Sequence, residues 1–207
     1  MFAARNSFLT PASVAVGGPT LGLTDSLLTM SGQNTSWQQR TIDISSYANS
    51  TVRLVFYHYA DYFTGDMQLD DINIDGTTYN FESNAAGWAT TFTNSNTIVT
   101  GDATLAINAA PIYTGTAFIA VPTGGSTARW NRDSGGTGSS GTGSSIDHTT
   151  GSTSGWYVYA ETSSPYPCGY WLKSSEHTLG SSPTLSFWVN RTGTTMRDCN
   201  VYLDIIS

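Results

Sequence analysis

The chain has 207 residues, of which 39% are hydrophobic, 12% aromatic and only 11% charged, with a formal net charge of −7. That is apolar material enough for one good core. Seven scattered arginines and a single lysine, Lys173, form no basic patch, which excludes nucleic acid and anionic membranes as partners.

No apolar run approaches the roughly 20 residues that span a bilayer. The opening MFAARNSFLTPASVAVGG has one arginine and no continuous apolar core, so a secretory signal is not expected. Residues 1–25 carry Phe2, Phe8, Leu9, Val14 and Val16, which suits an arm lying on a partner or a tail.

From residue 26 onward the apolar pattern has period two. Strands are predicted near 27–30 and over 41–44. In 51–57 the residues Val52, Leu54 and Phe56 share one face. Over 68–74 the inward phase slips: Leu69 is odd-numbered while Ile72 and Ile74 are even, which predicts a bulge at Asp70-Asp71. Asp75-Gly76 is a strong hairpin signal, joining this strand to one over 79–82 across residues 75–78.

Residues 94–128 are weakly patterned, with short strands expected but not placed. Residues 134–145, SGGTGSSGTGSS, are all Gly, Ser or Thr and read as a solvated mobile loop, with a hinge or ligand-contacting loop as the sharper alternative. Further strands follow over 156–161, with Trp156, Val158 and Ala160 opposite Tyr157, Tyr159 and Glu161, then over 170–173, 184–190 and 200–206. No segment longer than ten residues carries a helical apolar stripe, so an all-β antiparallel sandwich is the economical conclusion.

Candidate chemistry is sparse. Asp147-His148-Thr149 cannot form a direct Asp–His dyad, because adjacent residues of an extended chain point oppositely; a turn is the expected role. No nucleophile elbow, metal-ligating His pair or phosphate loop is present, so no catalytic residue is assigned and the protein is not expected to be an enzyme. Asp70, Asp71 and Glu82, with Asp147 less directly, could converge their oxygens on a hard cation such as Ca²⁺; the alternative is that they accept backbone N–H bonds and cap the sheet.

Tyr59, Tyr62 and Phe63, in the apparent loop HYADYFTGD, are the surface candidates for stacking on a sugar. Cys168 and Cys199 either bridge their two strands or remain buried thiols. Sequons begin at Asn34, Asn49 and Asn190, and carry information only in a eukaryotic secretory pathway.

In the second half, Phe81-Glu82, Gly87-Trp88, Trp130-x-Arg132, Asp147-His148-Thr149, Gly155-x-Tyr157, Leu185-x-Phe187-Trp188 and Val201-Tyr202-Leu203 occur in an order that resembles the first half of a MAM domain. The first half, with SWQQRTIDIS, TVRLVF and the Gly65-Asp66…Asp70-Asp71-Ile72 pattern, resembles the second half of the same module. The resemblance covers residues 26–206 with the halves exchanged: 26–80 is similar to the family's second half and 81–207 to its first. The usual four cysteines are not all present, and 94–128 match poorly.

This resemblance implies a jelly-roll sandwich of MAM-like, concanavalin-like type, either circularly permuted or completed by a neighbouring chain. It also implies a structural calcium near Asp70 and Asp71, and an adhesive role. The phrases WNRDSGGT and DDINIDGTTYNFES are also similar to repeats in virion structural proteins of marine tailed phages. The expected function is therefore a non-enzymatic decoration or fibre protein on a virion surface, assembling with copies of itself and other virion proteins. The alternative is an extracellular adhesion or glycan-binding module.

Overall fold

The computed structural model describes residues 23–60, 62–94, 118–124, 129–163 and 168–206. Most of the predicted arm and of the weakly patterned 94–128 stretch lies outside the described residues. The described strands, in chain order, are β1 (Leu23–Met30), β2 (Asn34–Asp43), β3 (Thr51–Ala60), β4 (Met67–Ile74), β5 (Thr77–Tyr79), β6 (Trp88–Asn94) and β7 (Ile119–Ala120). They continue with β8 (Trp130–Ser134), β9 (Trp156–Ala160), β10 (Cys168–Ser174), β11 (His177–Thr178), β12 (Thr184–Arg191) and β13 (Met196–Ile205). One 3₁₀ turn, Ser45–Tyr47, follows β2. No described helix is long and apolar enough to cross a membrane.

Two antiparallel sheets pack face to face as a β-sandwich. The first runs β1-β13-β3-β10-β6-β7, with β11 continuing the line of β10 along β3; the second runs β2-β12-β4-β9-β8, with β5 continuing the line of β9 along β4. Both sheets interleave the two halves of the chain: β13 lies between β1 and β3, and β12 between β2 and β4. β1 begins at Leu23, earlier than the predicted boundary at 26.

The inward residues are those the alternation picked out. Val52, Leu54 and Phe56 from β3 meet Leu185, Phe187 and Val189 from β12 in one core. Phe56 and Phe187 pack edge to face, with centroids 5.0 Å apart. Truncating either ring to alanine would cost about 3–5 kcal/mol, since no neighbour can fill a cavity between two hydrogen-bonded sheets.

The outer faces are not the polar surfaces that alternation suggests. On the first sheet Val55, Tyr57, Trp171 and Tyr202 form a second buried cluster, against which Phe118 and Tyr59 pack. On the second sheet the outward Gln68, Tyr157, Tyr159 and Asn190 are buried as well. The element that buries them forms the candidate site.

Two local devices in β4 place that element. The Asp75-Gly76 turn is tighter than predicted: Ile74 pairs directly with Thr77, and Asp75 (φ 48°) and Gly76 (φ 85°) both take positive φ, the signature of a two-residue type I′ turn. The second strand of the hairpin is therefore β5, and 80–82 lie beyond it. The bulge falls at Asp70-Asp71, as the phase slip required. Asp70 pairs with Trp188 and Asn73 with Ser186, so β4 has one residue more than β12 in between, and Asp71 sits at φ 44°.

Candidate functional site

Residues 135–155, the Gly/Ser/Thr-rich loop and its continuation, do not stand out in solvent. They lie as a strap across the outer face of the second sheet, which overturns the reading of a mobile loop. The physical reason is a row of buried polar side chains on β4 and just before it, spaced along the strap's path. Asp66 accepts the Thr142 hydroxyl at 2.8 Å, and Gln68 donates to Ser144 O at 2.9 Å while accepting the Ser144 N–H. Asp70 accepts the N–H groups of His148 (2.9 Å) and Thr149 (3.1 Å), besides that of Asp71 (2.8 Å). From other strands, Trp37 donates its indole N–H to Ile146 O at 2.9 Å and Tyr157 its hydroxyl to Gly135 O at 2.6 Å.

Glycine is required where the strap meets the sheet and itself. Gly143 has φ +63°, donates to Thr192 O at 3.0 Å, and a side chain there would collide with Thr137 and crowd Gln68. Gly155 carries the carboxylate of Asp147 directly against its Cα, so any Cβ would overlap that carboxylate.

Of the four proposed metal ligands, the structure brings Asp70 and Asp71 to one end of the strap. Asp71 takes the His148 Nδ1–H at 2.6 Å and the Thr149 hydroxyl at 2.8 Å. His148 therefore does have a carboxylate partner, but from β4 and not from its neighbour Asp147. Its ring lies flat on Trp188, with centroids 3.7 Å apart, and meets the edge of Trp37 at 6.2 Å. Among the described residues no hydroxyl or thiol bonds to the other ring nitrogen.

Asp147 turns inward and closes its own loop, accepting the N–H of Thr150 (2.7 Å) and Ser152 (3.0 Å) and the Thr150 hydroxyl (2.8 Å). These donors hold its carboxyl below the ordinary range, although burial opposes them. Glu82 accepts the Trp156 N–H at 3.0 Å.

Around Glu82 four residues of the resemblance meet: Phe81, Glu82, Trp88 and Arg132. Arg132 donates from Nε to Phe81 O (2.6 Å) and from Nη2 to Glu82 O (2.7 Å), and its guanidinium lies 3.7 Å over the Trp156 ring. Phe81 is held at φ 60°, and its ring meets the edge of Trp88. Phe81, Glu82, Arg132 and Trp156, far apart along the chain, form one fastening knot.

As placed, these carboxylates are engaged with protein donors. A hard cation needs six to eight oxygens with lone pairs directed at one point. Here the carboxylate oxygens face N–H and O–H donors, and no group of three or more His, Cys, Asp or Glu side chains among the described residues gathers to hold a metal. Of the two readings weighed from sequence, the donor set fits the second: the acids fasten backbone.

Burial nonetheless leaves its mark on two of them. Asp66, buried beside Glu161, is pushed up to about 6, and Asp70 is pushed up to about 7 by burial against the pull of its N–H donors.

The aromatic candidates separate. Tyr59 is not in a loop; it lies on β3 and packs against the cluster on the outside of the first sheet. Tyr62 and Phe63 do project from the turn after β3, 44% and 39% exposed, with ring centroids 4.3 Å apart. They form the larger part of an apolar tip between β3 and β4.

The bridge considered for Cys168 and Cys199 does not form, and both are free, buried thiols. Cys168 pairs with Ala60 on one side of β3, and Cys199 with His58 on the other. Two ladder spacings of about 4.8 Å put their backbones beyond the roughly 7 Å that a disulfide spans.

An open groove at one end of the first sheet is lined by Arg53, Trp88, Lys173 and Glu176. Its arginine is already committed, to Glu176 and, at 3.2 Å, to Asp204. Compared with known proteins, the chain matches no family model, and no solved structure matches it significantly.

Proposed function

We propose that this chain is a non-enzymatic structural module of MAM-like, jelly-roll type with exchanged halves. It serves as a decoration or fibre protein on a virion surface and acts by protein–protein contact. The observation that carries the reading is the use of the carboxylates. Asp66, Asp70, Asp71 and Glu82 accept protein donors that tie the 135–155 strap or the knot at Glu82 to the sheets, and Asp147 closes the strap's own loop. Acids committed in this way stiffen a scaffold and leave no general base poised over an open cleft.

The low charge, the Ser/Thr/Gly surface chemistry and the resemblance to phage virion repeats support the same reading. The test is incorporation: the tagged chain, supplied with assembling particles, should sediment with them at a fixed number of copies per particle and show little affinity for free sugars. A chain that never joins particles, yet turns over a substrate or binds glycans saturably, would overturn it.

The Tyr62–Phe63 pair favours a second reading, an extracellular adhesion or glycan-binding module, since two adjacent exposed rings offer a sugar its stacking face. Glycan-array binding abolished by Tyr62→Ala or Phe63→Ala, with unfolding unchanged, is the result expected of it.

A further inference from the structure

The outermost strand of a sheet leaves the N–H and C=O of every second residue without a ladder partner, and proteins protect such edges against pairing with another chain. Four described strands end the two sheets: β1, β7, β2 and β8. Three of them are protected. β7 has two residues. β1 joins β13 through two register breaks, which bend it away from a flat template. β8 is covered, because the Arg132 N–H donates to Pro122 O and the Gly124 N–H to Arg132 O, each at 2.8 Å.

β2 has no such device from Gln38 onward. It runs for ten residues without Pro or Gly, and it matches β12 one for one from Gln38 to Asp43, its only register break lying near its beginning. Its two charges do not guard the edge. Arg40 turns back onto Gln38 Oε1 (2.7 Å) and Gln39 O (3.3 Å), and Asp43 accepts the Ser45 N–H at 2.9 Å. Among the described residues, no backbone group outside β12 bonds to the backbone of β2.

We propose that β2 is a self-pairing surface: two copies of the chain join their β2 edges antiparallel about a twofold axis, making one continuous sheet. This rests on the assembly reading and names its surface. A second copy is the occupant because the strand complements itself.

A twofold perpendicular to the sheet keeps core side beside core side, so residues facing each other have the same parity. Centred on Gln39, such pairing sets Arg40 opposite Gln38 in the regular stretch, while Thr41 and Asp43 of each copy face the irregular 35–37 stretch of the other. No like charges meet, and each Arg40 finds across the axis the amide type it already holds within its own strand. The contact is isologous, so it closes at two chains and does not run on as a filament.

The test uses the whole chain in sedimentation equilibrium over a wide concentration range, with Gln39 as the probe because it is exposed and lies at the axis. The wild type is expected to form a reversible dimer. Gln39→Lys and Gln39→Glu should each weaken it about five- to tenfold by placing like charges opposite one another. An equimolar mixture of the two variants should dimerise again, with the unfolding midpoint of each unchanged.

A wild type that stays monomeric, or a dimer indifferent to both substitutions, overturns the proposal. Growth beyond two chains that ignores position 39 also overturns it, while leaving assembly as the function. A dimer lost only in Tyr62→Ala places the contact at the tip and overturns it as well.

Discussion

Asp70 offers the sharpest perturbation, because its role as a buried fastener and its protonation can be read separately. Replacing it with alanine would orphan the N–H groups of Asp71, His148 and Thr149 in a position with no exposed surface. The expected loss is about 3–5 kcal/mol near pH 5, where Asp70 contributes most, and it shrinks toward pH 8. Replacing it with asparagine keeps one acceptor oxygen, sets an NH2 against the donors of the other at a cost that does not vary with pH, and removes the titration.

The folded chain holds the Asp70 proton up to about 7, whereas the unfolded chain releases it near 3.8. Between those values the folded state binds more protons, so this group's contribution to stability falls as pH rises. Asparagine has no such dependence, and every other titration in the molecule cancels in the difference between the two proteins. From pH 5 to pH 8 the balance should therefore move by about 3 kcal/mol in favour of Asp70→Asn. Urea unfolding followed by tryptophan fluorescence at the two pH values measures it. A wild-type minus asparagine difference that does not change with pH would refute the reasoning, because the N–H donors would then have outweighed burial.

Other consequences follow from the same contacts. Gly155→Ala drives a methyl group into the Asp147 carboxylate; it should lower stability by about 1–3 kcal/mol and speed proteolytic cutting within 135–155, measured by limited digestion. Cys168 and Cys199 should react with a thiol reagent only after unfolding, and reducing agent should leave the thermal midpoint where it is, since burial pushes the Cys199 thiol up to about 12 and no bridge exists. Adding Ca²⁺ or a chelator should not move the thermal midpoint, because the carboxylates are committed to protein donors; a rise of several degrees with Ca²⁺ would contradict that assignment.

The parts of this fold that were legible in the sequence are those with a local cause. The bulge at Asp70-Asp71 was visible because side chains alternate strictly in a strand, and Leu69, Ile72 and Ile74 cannot share a face without an extra residue. The Asp75-Gly76 turn was visible because few dipeptides tolerate two positive φ values, although the turn proved two residues shorter than expected. Tyr59 was misplaced because HYADYF reads as polar and aromatic without period, while β3 in fact extends to Ala60 under an apolar outer cluster.

The strap could not be read from composition. Its Gly, Ser and Thr residues carry the signature of a flexible linker, and what fixes them are the side chains of Asp66 and Gln68, more than seventy residues away. A buried-phase reading of β9 offered the one available hint. Tyr157, Tyr159 and Glu161 on the supposed solvent face are too aromatic for an uncovered sheet, and something had to lie over them. The pairing of His148 with Asp71 had no local signal at all.

The central claim is that the strap is a fixed part of the scaffold, tied down by carboxylates that would otherwise be read as ligands or catalysts. Hydrogen exchange of the native chain, resolved over residues 142–152, tests it most directly. The account requires the amides of Gly143, Ser144, His148, Thr149, Thr150 and Ser152, each of which donates to a protein acceptor, to exchange far more slowly than an open glycine-rich loop, and those of His148 and Thr149 to lose protection in Asp70→Ala. Exchange of all six at the rate of an unstructured peptide would contradict it.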